Sequence, residues 1–384
     1  MRIDCISVLK VVQWLPLLIH FVFEIRRNSQ RETMKTDQLK ASFRYLLATI
    51  LAGLLAACTD DQEVEEATQT ANTDHLSDPI VVYSSRKQHL IEPVFEQFTQ
   101  QTGITVEYTT DKAGVLIERI KTEGQNTPAD LLITVDAGNL GYAAAEGIFQ
   151  AINSTVINDT VAPHLRDEQD LWTGLSLRAR TIVYSTERVK PDDLSTYQAL
   201  GESQWQGRLC LRTSKKVYNQ SLVAMFIAEQ GEVKAEQTVA AWISNLAIDP
   251  TSNDTKVMQA IEAGQCDVGI VNTYYFGRLE AKNPDLPLAL FWPNQSVADN
   301  SGVHVNVSGA GILKYSNNPD QARRLLEWLA SEQAQALFAG LNKEYPVISR
   351  GTIDPQVSAW GAFKQCRLAL SKAFQLQPAG VKLM

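Results

Sequence analysis

From Pro79 onward, short apolar runs typical of strands alternate along the chain with segments whose apolar residues recur at helical spacing. Ile80 to Tyr83 is a short apolar run typical of a buried strand. The following segments repeat that signal and interleave it with apolar residues at helical spacing: Leu90 to Thr102 (helix), Ile104 to Tyr108 (strand), Val115 to Glu123 (helix) and Ala129 to Val135 (strand). This strand–helix order predicts an α/β fold with a largely parallel sheet covered by helices.

Two extended segments, Ser176 to Val183 and about Gly302 to Gly311, separate blocks that each repeat the strand–helix pattern. A chain of 384 residues is long enough for two lobes. We therefore predict two lobes joined by a strand hinge, with a cleft between them. The first is expected to comprise residues 80–180 and 305–355, and the second residues 181–304 and 356–384.

The N-terminal region has the features of an export signal. Lys35, Lys40 and Arg44 precede an uncharged apolar run from Tyr45 to Ala57, which ends at Cys58. A basic start, a short apolar core and small residues before a cleavage point describe a secretory signal that is too short to span a bilayer. The alternatives are an ordinary signal peptide without lipid and a buried helix with a chance cysteine.

We assign residues 1–57 to this signal segment and residues 58–79 to a polar tether rich in Asp, Glu, Thr and Gln. Cys58 follows Leu55-Ala56-Ala57 and resembles the lipobox of bacterial lipoproteins, whose cysteine carries lipid. Met34 opens a conventional signal sequence, so translation is expected to begin there; an additional anchor before it is the alternative.

Composition narrows the function classes. Hydrophobic residues at 45% with 20% charged residues describe a globular body, and the formal charge of −8 disfavours nucleic acid. No Cys/His group has zinc-site spacing, no glycine pattern matches a phosphate loop, and no nucleophile–base pairing stands out. The sequence therefore predicts a binding protein rather than an enzyme.

Adjacent Tyr274 and Tyr275, together with Tyr218, are the candidate metal-binding residues. Phenolates are hard anionic oxygen donors that suit Fe(III), and a bound cation removes the phenol proton that is otherwise lost only near pH ~10. At a strand end or turn, both hydroxyls of the pair can reach one metal. Taken alone, the pair is more typical of a half-buried strand edge that packs aromatic rings; Tyr218 and the motifs around it favour the metal site.

Together these motifs resemble the periplasmic ferric-iron-binding proteins of bacterial ABC importers, within the class II periplasmic binding-protein and transferrin-like superfamily. The resemblance extends from about Ile80 to about Lys372. It rests on the order and spacing of seven motifs: Tyr83-Ser84-Ser85-Arg86, Pro128-Ala129-Asp130, Arg178-Ala179-Arg180, Tyr218-Asn219-Gln220-Ser221, Asn272-Thr273-Tyr274-Tyr275, Ser308-Gly309-Ala310-Gly311 and Glu344-Tyr345-Pro346.

The resemblance implies a two-lobed class II binding protein that closes over its metal, with Tyr218, Tyr274 and Tyr275 as tyrosinate ligands. It also implies a disulfide between Cys210 and Cys266. From the residues alone, these two cysteines are able to pair outside the cytoplasm, but two free thiols, or a pairing that involves Cys366, are equally open.

Arg178 and Arg180 lie in the segment that binds an anion in the family. A guanidinium group binds carbonate or a carboxylate through two hydrogen bonds, so we expect a carbonate- or bicarbonate-like synergistic anion there, with Arg180 preferred. Alternatively, one arginine pairs with an acidic surface residue. Val135 occupies the place of a carboxylate ligand found in some relatives, with Asp136 one residue further on, which favours an exogenous anion.

His89 is the candidate for a fourth protein ligand. Many relatives have a histidine just after the arginine-like position, whereas this chain has Lys87 and Gln88 there and His89 next. Neutral imidazole binds iron, so His89 is a ligand candidate in the closed form. The alternative is a histidine at a helix start that faces solvent.

The sequence thus predicts an extracytoplasmic Fe(III)-binding lipoprotein that captures ferric iron with an anion and delivers it to an ABC permease. We expect a monomer in the periplasm or at the cell surface, held to a membrane only by its N-terminal lipid. One alternative is an importer component for an anion or small organic solute without iron. Another is a sensory lipoprotein that keeps the fold without transport.

Overall fold

The computed structural model describes residues 78–296 and 301–384. The signal segment, Met34, Cys58 and most of the tether lie outside the described residues, so the predictions made for them stay predictions. Within the described part of the chain, no helix is both long and apolar enough to cross a membrane.

Eight strands form one mixed sheet in the described residues, in the order β2-β1-β3-β8-β4-β6-β5, with β7 paired to β4. Their bounds are β1 Ile80–Ser84, β2 Val106–Thr110, β3 Leu131–Thr134, β4 Thr173–Ser185, β5 Leu209–Cys210, β6 Val268–Asn272, β7 Leu288–Phe291 and β8 His304–Ile312. The expected strands near residues 80, 104 and 129 are therefore confirmed.

The prediction of a largely parallel sheet is wrong. β1 pairs in parallel with β2 and β3, and β5 with β6, but every pairing made by β4 and β8 is antiparallel. The physical reason is that these two long strands run antiparallel to their neighbours and so do not need the helical crossover that joins parallel strands. A count of alternating strands and helices does not reveal that pairing.

Helices cover the sheet, and their first two members confirm the helical spacing seen in the sequence. Their bounds are α1 Gln88–Thr102, α2 Ala113–Glu123, α3 Ala137–Ala145, α4 Thr155–Thr160, α5 Val217–Gln230, α6 Glu232–Ser244, α7 Asp254–Glu262, α8 Thr273–Glu280, α9 Pro319–Leu329, α10 Glu332–Asn342, α11 Pro355–Ala359, α12 Leu370–Gln375 and α13 Gln377–Lys382. Short 3-10 turns lie at Gly124–Asn126, Pro163–Leu165, Pro191–Asp193, Gln198–Gly201 and Ser203–Trp205.

The two long strands β4 and β8 are the extended segments anticipated from the sequence. Every residue of both is buried, and they pair from Thr173 opposite Ala310 to Arg180 opposite His304. Glycine allows the close packing around them, because a Cβ at Gly311 would lie 2.6 Å from the Leu171 carbonyl oxygen. The pair thus carries Arg178 and Arg180 through the middle of the molecule.

Apolar residues form four separate core clusters in the described part of the chain, and the two long strands contribute to more than one of them. One core joins residues such as Leu132, Leu177 and Val307, whereas another joins Ile182, Phe226 and Ile270. This separation supports a two-lobed architecture. The C-terminal segment contributes to both, because Leu370 packs in the first core and Cys366 in the second. The residue boundaries assigned to each lobe remain a prediction.

A disulfide joins Cys210 to Cys266, with their Cα atoms 5.9 Å apart, and Cys366 is a free buried thiol. The pairing implied by the family resemblance is therefore confirmed. The bond connects the end of β5 to the turn before β6. It consequently links the segment that leads to Tyr218 with the strand that leads to Tyr274.

Reduction of this disulfide is expected to lower the free energy of unfolding by about 2–4 kcal/mol, because the unfolded chain regains the freedom of a long closed loop. Chemical denaturation with and without reductant measures the loss. A Cys366→Ala protein serves as the control, since it keeps the disulfide and should show the same loss on reduction. A change below about 0.5 kcal/mol, which is within the scatter of ordinary surface changes, would contradict the prediction.

Candidate metal centre

The three candidate tyrosines lie in the first turns of two helices. Tyr218 is the second residue of α5, and Tyr274 and Tyr275 are the second and third residues of α8, directly after β6. The pair therefore follows the end of a strand, because β6 ends at Asn272 and the helix begins at Thr273. The first turn of a helix carries unsatisfied amides and the positive end of the helix dipole, which favours anionic phenolates there.

The phenol groups converge although Tyr218 and Tyr274 are distant in the sequence. The side chains of Tyr218 and Tyr274 lie close enough for each to affect the pKa of the other, and Tyr275 affects the pKa of both. The rings of Tyr274 and Tyr275 lie 4.5 Å apart. The side-chain amide of Asn272 donates a hydrogen bond to the Tyr274 hydroxyl at 3.3 Å. The structure therefore brings together all three tyrosines that the sequence predicted.

Burial sets the protonation of two of these phenols. Tyr274 is only 7% exposed, and burial, followed by the neighbouring phenols Tyr218 and Tyr275, raises its pKa well above the ordinary value. Burial also raises the pKa of Tyr218, although the nearby Arg178 opposes that rise. Without a metal, Tyr218 and Tyr274 are thus neutral phenols at physiological pH.

Arg178 is the arginine that faces the tyrosines. Its guanidinium lies 5.7 Å from the centre of the Tyr218 ring and donates to the Asp136 carboxylate at 3.2 Å, to the Val135 carbonyl and to the Ser308 hydroxyl. Burial tends to lower the pKa of Arg178, but Asp136 and the phenols of Tyr274 and Tyr218 raise it overall. Arg178 is therefore a buried cation beside the metal-binding groups.

Both terminal nitrogens of Arg180 are occupied, as are those of Arg178, but by different partners. Arg180 donates to Asp254 at 3.1 Å and to Asn219 at 2.6 Å, and also to the side chain of Asn272 and the carbonyl of Ile270. The alternative that an arginine pairs with a surface acid is wrong, since both acidic partners, Asp136 and Asp254, are buried. Of these two arginines, Arg178 is the one whose guanidinium lies beside the ring of a candidate tyrosine.

Sequence reasoning missed Arg212 and Asp254. Arg212 lies 5.1 Å over the Tyr218 ring and donates to Asp254 at 2.9 Å; burial tends to lower its pKa, but Asp254 and then the three tyrosines raise it. The sequence signal available for Arg212 was its charge and its position two residues after Cys210, the buried last residue of β5. Arg278 also contacts the site, 5.0 Å over the Tyr274 ring.

His89 lies apart from the tyrosines in this conformation. It is exposed in the first turn of α1, and the described residues show no hydrogen bond or ring contact between it and the tyrosines. Val135 is half-buried, and its carbonyl accepts from Arg178. Asp136 is fully buried as the N-cap of α3; burial raises its pKa, against the lowering effect of Arg178.

The donor set fits a hard trivalent cation. Three phenolates carry three negative charges, which would neutralise Fe(III) and leave coordination positions open. Within residues 78–296 and 301–384, no group of three or more His, Cys, Asp or Glu side chains is arranged to hold a metal. Separate apolar cores joined by two long strands, with a polar cluster beside those strands, are typical of a two-lobed binding protein.

Comparison with known proteins identifies the family. Residues 83–336 match the model of the bacterial extracellular solute-binding proteins. Iron uptake protein A1 of Synechocystis sp. is 38% identical over 344 residues, covering 88% of this chain and 94% of that protein. Iron uptake protein A2 of the same organism is 42% identical over 311 residues, covering 79% and 88%.

A solved structure agrees with these relatives. The Trichodesmium protein IdiA (FutA), in complex with iron and citrate, superposes with a TM-score of 0.77 at 38% identity and covers 80% of this chain and 98% of that one. The chain therefore belongs to the bacterial extracellular solute-binding protein family. Its resemblance to the ferric-iron-binding members and its two-lobed fold are confirmed, and these relatives are binding and transport proteins by name.

Proposed function

We propose that this protein is the Fe(III)-binding component of an ABC importer, which captures ferric iron outside the cytoplasm and delivers it to a permease. The observation that carries the proposal is the proximity of Tyr218, Tyr274 and Tyr275, of which Tyr274 is buried and the other two are half-buried. Relatives that align with most of the chain are iron uptake proteins, and one was solved with iron and citrate.

The synergistic anion is proposed to bind beside Arg178. The guanidinium of Arg178 lies 5.7 Å from the centre of the Tyr218 ring and interacts with the phenols of Tyr218 and Tyr274, whereas the partners of Arg180 are Asp254, Asn219, Asn272 and Ile270. Carbonate or bicarbonate is small enough to share the metal with three phenolates, and its oxygens can accept hydrogen bonds from a guanidinium group. Citrate, present in the Trichodesmium relative, is the second candidate.

Closure of the two lobes would hold the metal by differential affinity. A ligand stabilises the conformation in which groups from both lobes reach it. The three tyrosines belong to the second predicted lobe. His89, in the first predicted lobe, remains the proposed fourth ligand. It is exposed at the start of α1, so its imidazole is free to reach the metal when the lobes close.

The proposed site of action is the periplasm or the cell surface. The disulfide Cys210–Cys266 fits an oxidising compartment, and the relatives belong to an extracellular family. Lipid on Cys58 and a monomeric state complete the proposal. Both rest on the sequence alone, and mass spectrometry and light scattering of the exported protein test them.

Ferric citrate titration tests the proposed function directly. The purified protein should develop a visible tyrosinate-to-iron charge-transfer band and gain thermal stability with one iron per chain. If the protein stays colourless while an anion alone raises its melting temperature, the alternative of an anion-binding protein is correct. A protein that shows neither response to iron would contradict the ferric assignment.

Iron affinity is expected to fall steeply as the pH decreases. Because the pKa values of Tyr218 and Tyr274 are raised, both phenols hold protons in the free protein and lose them to the metal. Release of at least two protons implies a change of about 100-fold in affinity for each pH unit. Iron partition against citrate at several pH values, corrected for the titration of citrate, measures the slope of log affinity against pH. A slope that corresponds to fewer than one released proton would contradict the prediction.

A further inference from the structure

Asp254 is a fully buried carboxylate at the start of α7 that accepts hydrogen bonds from three separate parts of the chain. Its Oδ1 accepts from Arg212 at 2.9 Å. Its Oδ2 accepts from Arg180 at 3.1 Å and from the backbone amide of Asn272 at 2.9 Å. The middle of β4, the segment after β5 and the end of β6 therefore meet at this one side chain.

Two of these partners lead directly to the candidate iron ligands. Asn272 is the last residue of β6 and precedes α8, whose first turn carries Tyr274, and its side chain also donates to the Tyr274 hydroxyl. Arg212 lies over the ring of Tyr218. The hydrogen bonds of Asp254 thus fix the groups beside both phenols, although those phenols come from different helices.

The local charges also depend on this carboxylate. Arg180 and Arg212 are both buried, and both pair with Asp254, so two cations share one anion. Charges interact strongly in a poorly solvated interior. Without Asp254, two uncompensated guanidinium groups would stand close to a site that receives a trivalent cation.

We propose that Asp254 is a positioning residue of the ferric site: its carboxylate couples the segment of Tyr218 to the segment of Tyr274 and offsets the arginines beside them. The inference rests on the proposed function, because only a bound ferric ion would report the arrangement of the phenolates. Asp254 acts through Arg212 and Asn272, without serving as a ligand itself.

The test compares Asp254→Asn with Asp267→Asn as a matched control. Asp267 also bridges two arginines, Arg188 and Arg208, each at 2.6 Å, but those arginines do not contact the tyrosines. Groups that orient metal ligands typically contribute 10–100-fold to metal affinity, so Asp254→Asn should release iron about 10–100-fold faster. It should also shift the maximum of the charge-transfer band, whereas Asp267→Asn should match the wild type in both.

Each outcome has a separate meaning. If the wild-type protein takes up no ferric iron, the proposed function fails. If it does and Asp254→Asn behaves like Asp267→Asn in band position and release rate, the inference is overturned. Should Asp254→Asn not fold, Arg212→Lys decides: it keeps the charge but loses the planar group that both covers Tyr218 and reaches Asp254. An unchanged band and release rate in that variant would overturn the inference.

Discussion

Tyr274→Phe is expected to weaken ferric binding by more than about 100-fold, because loss of a ligand should exceed the 10–100-fold effect of losing a group that orients one. The substitution keeps the ring, which packs 4.5 Å from Tyr275 and beneath Arg278, so the fold should persist. It removes one phenolate and leaves the bound metal with an uncompensated positive charge in a buried site. Competition against citrate, followed by the visible charge-transfer band, measures the loss.

Tyr345→Phe is the matched control for that experiment. Tyr345 is also buried, and burial raises its pKa, but its hydroxyl has no hydrogen-bond partner in the described structure. Removal of that hydroxyl should leave iron binding unchanged and stability the same or slightly higher. If Tyr274→Phe bound iron as tightly as Tyr345→Phe, with the same absorption band, Tyr274 would not be a ligand.

Local periodicity predicted the elements that carry the site. The apolar run at Ile80 and the helical spacing after Leu90 are properties of neighbouring residues, and the structure confirms both, with boundaries shifted by a few residues. The antiparallel pairing of β4 and β8 was not predictable, because pairing between strands so far apart in the chain leaves no local pattern.

The tyrosines and Arg178 could be proposed from the sequence, but the charged residues Arg212 and Asp254 could not. Arg212 and Asp254 are separated by 42 positions, and Arg180 and Asp254 by 74. Each residue on its own is typical of a solvated surface. Only folding places them in a buried network, so their contribution to the site becomes visible when the three-dimensional partners are known.

Arg86→Met is expected to lower the free energy of unfolding by about 3–5 kcal/mol, the usual cost of breaking a buried ion pair by removing one partner. Arg86 donates to the carboxylate of Glu344 and also to the hydroxyls of Ser176 on β4 and Ser308 on β8. It therefore ties the loop after β1 to both long strands. Chemical denaturation measures the loss, and Asp320→Asn, which breaks the exposed pair with Arg323, should cost less than about 1 kcal/mol.

A double variant and the pH dependence of stability distinguish the loss of the ion pair from the loss of packing as the cause of this destabilisation. Burial alone would raise the pKa of Glu344, but Arg86 and Arg178 hold it below the ordinary value. Without Arg86 that pKa rises, so the deficit of Arg86→Met should grow as the pH increases and should disappear only when the pH falls below the lowered pKa that Glu344 has in the folded wild-type protein. Arg86→Met combined with Glu344→Leu removes both charges and should recover most of the stability. A deficit that is independent of pH and persists in the double variant would show that Arg86 acts through its packing, not its charge.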